Sequence, residues 1–383
     1  MIRCLFLGFL LLIILISSAL YFTGNGHVLV AVSKTYFVGQ KGPSIDDFRL
    51  FDHRRVEAPG GTSLPNHEAF NRALSADDIA YLESYGTAAY LVVHRDSVLA
   101  EHFFDDYSAS SYLNTFSMAK SFVSIAVGVL LREGMIKSLD EPASNYIPEL
   151  AEREEHDVTI RHLLQMASGY GFDENYKNPL GYQARVYYGN QLREHTLAFG
   201  PEKPAGSEFY YAGGNTILLG MIVEAASGES LSNFFSKHIW KAIGAEADAW
   251  WTTDKPHGME RSSCCFYAQV RDLARLGLLY LQGGEWNGKT VIPADYMEAS
   301  VSPIRIPDRY GETVMHYGFQ WWLGNHNGTP FFQAQGMLGQ YIIVVPDYEL
   351  VVVRLGHQRP DEKLNHLPAD AYQYINIAQQ LIP

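Results

Sequence analysis

The sequence predicts an α/β fold: one antiparallel sheet flanked by helices, with an all-helical lobe beside it. Three observations carry this. Alternating strand-like runs stand near both ends of the folded body, while amphipathic helices fill the middle. Hydrophobic residues make up 47% of the 383 and charged residues 19%, enough apolar material for a large core.

The N-terminus comes first. From Cys4 to Phe22 the chain reads CLFLGFLLLIILISSALYF without a charge. That run suits a helix crossing a bilayer. Only Arg3 and the amino terminus precede it, and no Lys or Arg follows until Lys34. The positive-inside rule then leaves the N-terminus cytoplasmic and the body on the extracytoplasmic, periplasmic side. A cleaved signal peptide ending near Ser17-Ser18-Ala19 exports the body equally well. The apolar run exceeds a usual signal core, which favours a retained anchor. Residues 1–23 are therefore expected as anchor or signal segment. Residues 24–65, with a Pro/Gly stretch at EAPGGTSLP, are expected as a linker, part of it free to pair as a strand or pack on the domain.

The folded body is expected over 66–383. AAYLVVHRDSVLAEHFF reads as two strands around a polar turn at Arg95-Asp96-Ser97. Ser117 to Glu133 turns helical, with Phe122, Ile125, Ala126 and Leu130 at helical spacing and Gly134 placed to end the helix. Residues 135–250 are expected as the helical lobe, from VTIRHLLQMASG, TILLGMIVEAASG and SLSNFFSKHIWKAIG. VRDLARLGLLYLQGG is one more helix. GTPFFQAQ, QYIIVV and LVVVRLG return to strands, and AYQYINIAQQL closes the chain as a helix. A cleft between sheet and lobe is the natural site.

Composition excludes some functions. A net charge of −13 argues against a nucleic-acid partner, which demands a basic surface. Of the three cysteines, Cys4 lies in the apolar N-terminus, and Cys264 and Cys265 are neighbours, a pair expected to be buried small residues rather than a strained bridge. No pattern marks a metal site, and no cofactor is expected.

Ser117-Met118-Ala119-Lys120 is the chain's SxxK. Three residues along a helix bring a lysine ammonium beside a serine hydroxyl. The helix N-terminus offers N–H groups and a positive dipole end to a developing oxyanion. A serine N-cap with a solvated lysine explains the segment alone equally well. No GxSxG elbow exists, so another proton acceptor is required.

SMAKSF, LDEPASNYIPE, VTIRHLLQMASG, FYYAGGNTILLG and AQVRDLARLGLLYLQGG stand in order. Together they resemble the serine β-lactamase and penicillin-binding superfamily, in its class C and esterase-like branch, over about residues 85–357. The resemblance implies a β-lactamase-like fold, with Ser117 as acylated nucleophile and Lys120 as its partner. It implies Tyr211, not Tyr210, as the tyrosine that takes the serine proton. It implies an oxyanion hole from the backbone N–H groups of Ser117 and Met337. Gln335 and Gly336, on the strand carrying the third motif, and Asn215 then fall at substrate-binding positions.

Two departures stand out. Gly213 occupies the position of a class C asparagine, and Ala334-Gln335 bring no cation for a β-lactam carboxylate. FDENYKNP, GGNTILLG and AQGMLGQ resemble instead the 6-aminohexanoate-dimer hydrolases and related carboxylesterases. That likeness implies Tyr176 on a loop closing over substrate. Trp321 and Trp322 are candidate pocket walls, with Trp321 the substrate-binding choice; successive strand residues face opposite ways. The expected activity is hydrolysis of a small ester or amide. A penicillin-recognising peptidase or β-lactamase and a non-catalytic binding protein are the alternatives.

Overall fold

The computed structural model describes residues 2–151 and 158–383, so residues 152–157 of the expected helical lobe lie outside the described residues. The chain opens with α1 (Ile2–Phe22) and α2 (His27–Lys34), then strand β1 (His53–Val56) and α3 (Ala76–Ser84). The Ser75 hydroxyl caps α3 by accepting the Asp78 N–H. Strands β2 (Thr87–His94) and β3 (Ser97–Phe103) form the expected hairpin, followed by the short β4 (Leu113–Asn114) and α4 (Ala119–Arg132). Gly134 takes a left-handed conformation just beyond α4, as expected of its stop.

The helical lobe follows with α5 (Ile160–Leu164), α6 (Tyr182–Tyr188), α7 (Leu192–Leu197), α8 (Gly213–Ser227) and α9 (Leu231–Phe235). The chain then returns through β5 (Ala249–Thr252), β6 (Phe266–Ala268) and α10 (Val270–Leu281). A small hairpin, β7 (Glu285–Trp286) with β8 (Lys289–Thr290), and α11 (Ala294–Ser300) come next. Strands β9 (Trp322–His326), β10 (Thr329–Gly336), β11 (Gln340–Val345) and β12 (Leu350–Gly356) follow. The hairpin of β13 (Lys363–Leu364) and β14 (Leu367–Pro368) leads into α12 (Ala369–Leu381).

The main sheet has the order β3-β2-β12-β11-β10-β9, antiparallel throughout. Its centre joins the two ends of the chain, β2 beside β12. Side chains alternate between two cores because strand residues alternate faces. Tyr90, Val92, Ile343 and Val352 pack with Tyr374, Ile375 and Ala378 of α12. Leu91, Val93, Ile342 and Val351 belong to the larger core shared with α4, α8 and α10. Both faces are covered, which explains near-continuous apolar runs such as QYIIVV.

A second sheet, β1-β5-β6-β4, was not foreseen. Its edge strand β1 comes from the segment expected as linker, with His53 opposite Thr252 and Val56 opposite Ala249. At its other edge β4 pairs with β6, so that Asn114 faces Tyr267 three residues before Ser117.

One described helix, Arg3–Phe22, is long and apolar enough to cross a membrane, and none of it is buried in the protein. Length and composition suit a signal sequence or a membrane span alike.

Seating of α10 on the sheet depends on Gly277. A Cβ there would stand 2.6 Å from Val351 Cγ1 and 2.9 Å from Ile342 Cγ2. Gly277→Val is therefore expected to cost about 1–3 kcal/mol by overpacking. A denaturation midpoint equal to wild type would contradict this packing.

Candidate active site

β4 ends at Asn114, whose buried amide ties the turn before Ser117 to β6. Its Nδ2 donates to the Tyr267 hydroxyl at 3.0 Å, and its Oδ1 accepts the Phe116 N–H at 2.9 Å. Phe116 takes φ +46°, an uncommon value for a bulky residue, directly before Ser117. The strained turn delivers Ser117 at the head of α4, and Lys120 lies one helical turn on. Lys120 Nζ donates to Ser117 Oγ at 3.0 Å and to the Ser263 carbonyl at 2.7 Å. It also lies 5.3 Å from the centre of the Tyr211 ring.

Burial governs the electrostatics. Lys120 is buried and its pKa is pushed down from 10.5 to about 8 by desolvation, with the Glu174 charge pulling the other way. Burial raises Tyr211 above the ordinary phenol range, and the facing Ser117 hydroxyl offsets part of that rise. Glu174 is itself raised by burial, while Lys120 and the Gly213 N–H restrain the rise. Its carboxylate accepts the Gly213 N–H at 2.6 Å, Gln183 Nε2 at 2.7 Å and the Tyr176 hydroxyl at 2.9 Å.

Ser117, Lys120, Tyr211, Gln335, Gly336 and Met337 all line one cavity of about 750 Å³. Gly336 is required there, because a Cβ would stand 2.2 Å from the Thr115 carbonyl. Met337 opens the turn between β10 and β11. Gln340 Nε2 holds its carbonyl at 2.9 Å, and the buried Arg354 holds the next two carbonyls, Leu338 at 3.1 Å and Gly339 at 2.8 Å. Gln320 ties the lobe to α4. Its amide donates to the Leu163 and Leu164 carbonyls, its Oε1 accepts Thr216 Oγ1, and its own carbonyl accepts Ser121 Oγ. The site thus combines a hydroxyl beside an amine of weakened basicity with a neutral phenol and rigid backbone, enough for acyl transfer.

The beta-lactamase family model matches residues 79–375, most of the chain. The chain belongs to the beta-lactamase family. It is a serine hydrolase of that family. Among relatives, it is 28% identical over 303 residues to the 6-aminohexanoate-dimer hydrolase of Paenarthrobacter ureafaciens, covering 74% of this chain and 76% of the relative. A Bacillus anthracis structure provisionally named as a 6-aminohexanoate-dimer hydrolase superposes with a TM-score of 0.70 at 24% identity, covering 88% of this chain and 93% of that one. A family VIII carboxylesterase gives 0.60 at 17% identity, covering 81% of this chain and 99% of that one. At these identities the two structures establish the fold.

Several expected site residues lie elsewhere. Trp321 is fully buried, donates to the Tyr280 hydroxyl at 3.0 Å and packs on Phe332, so it is core. Trp322, the next residue, forms the wall, 5.2 Å from the Tyr211 ring. Asn215 is also buried rather than on the cavity wall. Its Nδ2 lies 3.4 Å from the Ala212 carbonyl in the first turn of α8. Tyr176 does line the cavity, its ring exposed and its hydroxyl turned to Glu174. Tyr210 is part-exposed and absent from the lining, which leaves Tyr211 facing Ser117.

Cys264 and Cys265 are bridged, against expectation, with Cα atoms 3.8 Å apart. The local backbone accommodates the small ring because Cys265 adopts φ +68°. Trp251 Nε1 holds the Cys264 carbonyl at 2.9 Å. The bridge thereby stiffens the segment whose Ser263 carbonyl receives Lys120.

Glu174 was missed, although it stands in the same FDENY run that pointed to Tyr176. Arg359 and Lys363 were missed as well. They line the cavity from beyond β12, so the cleft has cations although β10 brings none. No short motif marks them.

Titration of Lys120 tests this electrostatic description directly. NMR of ¹³C-labelled lysine is expected to show one lysine with a midpoint about 8 in wild type. In Glu174→Gln the midpoint should fall, since the raising charge is gone. A Lys120 titrating near 10.5, where an ordinary lysine does, would contradict the enclosed site.

Proposed function

We propose that this protein is a membrane-anchored hydrolase that cleaves a small ester or amide through an acyl-enzyme on Ser117. The observation that carries the reading is Lys120 Nζ, 3.0 Å from Ser117 Oγ, in surroundings that push its pKa down to about 8. Such an amine is neutral often enough near pH 8 to take the serine proton.

The sequence alone favoured Tyr211 as the proton acceptor. Burial raises the phenol and lowers the amine, which supports the reverse order. Lys120 accepts the proton as Ser117 Oγ attacks the substrate carbonyl. The tetrahedral oxyanion is held by the backbone N–H groups of Ser117 and Met337. Tyr211, a neutral phenol, donates its proton to the leaving alkoxide or amine and is reprotonated from Lys120. A water molecule, deprotonated by the same pair, then attacks the acyl carbon and releases the acid and free Ser117.

The name of the Paenarthrobacter relative supports a short linear amide, and the carboxylesterase likeness supports an ester. The positive-inside pattern of the first 34 residues supports a body outside the cytoplasm, with α1 as anchor. Arg359 and Lys363 on the cavity wall favour the alternative, a penicillin-recognising enzyme, because either could meet a β-lactam carboxylate.

Ser117→Ala is expected to fold as wild type and lose both p-nitrophenyl ester hydrolysis and labelling by a fluorophosphonate. Persistent labelling would assign the chemistry to another serine. Wild type is expected to prefer short-chain esters to penicillins. β10 brings no cation to a β-lactam carboxylate, and unless Arg359 or Lys363 replaces it the missing charge-assisted bond costs about 1.5–3 kcal/mol, a factor of about 10–150 in kcat/KM. Higher kcat/KM on a penicillin than on any simple ester would move the protein to the alternative.

A further inference from the structure

α2 packs along α6, and Val28, Ala31 and Val32 on it line the same cavity as Ser117 and Tyr211. The catalytic cleft therefore has one apolar wall that the body does not supply. Three hydrogen bonds fix that wall. A ring nitrogen of His27, Nε2, lies 3.0 Å from the Pro179 carbonyl, in the loop that also carries Tyr176. Arg185 of α6 donates to the Gly24 carbonyl at 3.1 Å and to Asn25 Oδ1 at 2.6 Å.

Residues 23–26 are all that separates this wall from α1. α1 is uncharged from Cys4 to Phe22, and none of the Arg3–Phe22 span is buried in the protein. Apolar side chains stand exposed on both sides of α2: Tyr21 and Phe22 before it, at 71% and 84%, and Tyr36 and Phe37 after it, at 66% and 80%. Paired aromatic groups flanking a short apolar helix suit the membrane–water boundary, where rings of this kind concentrate. With α1 in a bilayer, the four-residue connection holds α2, and with it that wall of the cavity, at the lipid surface.

We infer that the substrate is a bilayer-resident amphiphile, an ester or amide whose long acyl chain enters the Ser117 cavity along α2. This rests on the Ser117 acyl-enzyme chemistry and goes beyond the small ester or amide proposed above, to a long-chain substrate and its route of access. The acyl C–O or C–N bond breaks as the Ser117 ester forms. Water then breaks that ester, giving a long-chain carboxylic acid and, from the first step, the free alcohol or amine. The chain is sheltered by Val28, Ala31 and Val32 while the reacting carbonyl reaches Ser117.

The full-length protein in phosphatidylcholine vesicles provides the test, with p-nitrophenyl acetate, hexanoate and dodecanoate as probes. kcat/KM is expected to rise at least about tenfold from acetate to dodecanoate, since each buried methylene adds to binding. Val32→Glu should lower the dodecanoate-to-acetate ratio about tenfold, and Val32→Thr, nearly the same shape, about threefold. A dodecanoyl ester tethered to a two-chain lipid that does not exchange between vesicles separates the bilayer from water as its source. It should be cleaved in the protein's own vesicles and spared in separate ones. Ser117-dependent acetate turnover without a gain in chain length, or equal cleavage in separate vesicles, overturns this inference and leaves the Ser117 reading intact. Turnover that survives Ser117→Ala overturns the reading beneath it.

Discussion

Lys120 carries an ammonium group into a buried position at the base of the cleft, where charge is costly unless fixed dipoles hold it. The Ser117 hydroxyl and the Ser263 carbonyl are those dipoles, at 3.0 and 2.7 Å. The acid–base properties of the site follow from this arrangement. The same burial that weakens the amine's hold on its proton strengthens the Tyr211 phenol's hold on its own. Burial thus moves the two groups in opposite senses, the amine toward losing its proton and the phenol toward keeping it.

Much of the surrounding structure exists to keep that triangle in shape. Asn114, at the end of β4, ties the turn before Ser117 to Tyr267. The Cys264–Cys265 bridge and Trp251 stiffen the segment presenting the Ser263 carbonyl. Gln320 joins α5, α8 and α4, so the lobe carrying Tyr211 cannot drift from the helix carrying Lys120. Arg354, fully buried, sets the turn after Gly336 by holding the Leu338 and Gly339 carbonyls. These contacts are satisfied hydrogen bonds among buried groups, whose loss leaves unpaired partners, and they favour one geometry over near alternatives.

The sequence made legible what depends on period and order. The hairpin of β2 and β3, the helix starting near Ser117, the late strands and the closing α12 follow from alternation and helical spacing. The family's ordered motifs brought Ser117, Lys120, Tyr211 and Met337 to one cavity wall. What stayed hidden depends on pairing across long separations. Strand β1 takes its meaning only from β5, nearly two hundred residues later. Trp321, just before β9, and Trp322, its first residue, differ only in which way they face, core or cavity, which neither residue announces. Glu174 was concealed because its role comes from Gly213 and Lys120, which lie far from it in the chain. The cysteine bridge escaped because the general strain of such a ring says nothing about a backbone already bent to suit it.

We propose Lys120 as the base that activates Ser117, and the pH dependence of fluorophosphonate labelling measures that step alone, since fluoride leaves without needing a proton. The second-order labelling rate of wild type is predicted to rise with pH through a midpoint about 8, where Lys120 loses its proton. In Lys120→Ala the rate should fall at least about a hundredfold, and that midpoint should vanish. A Lys120→Ala protein that labels with the wild-type midpoint would contradict the account, because some other group would then be taking the serine proton.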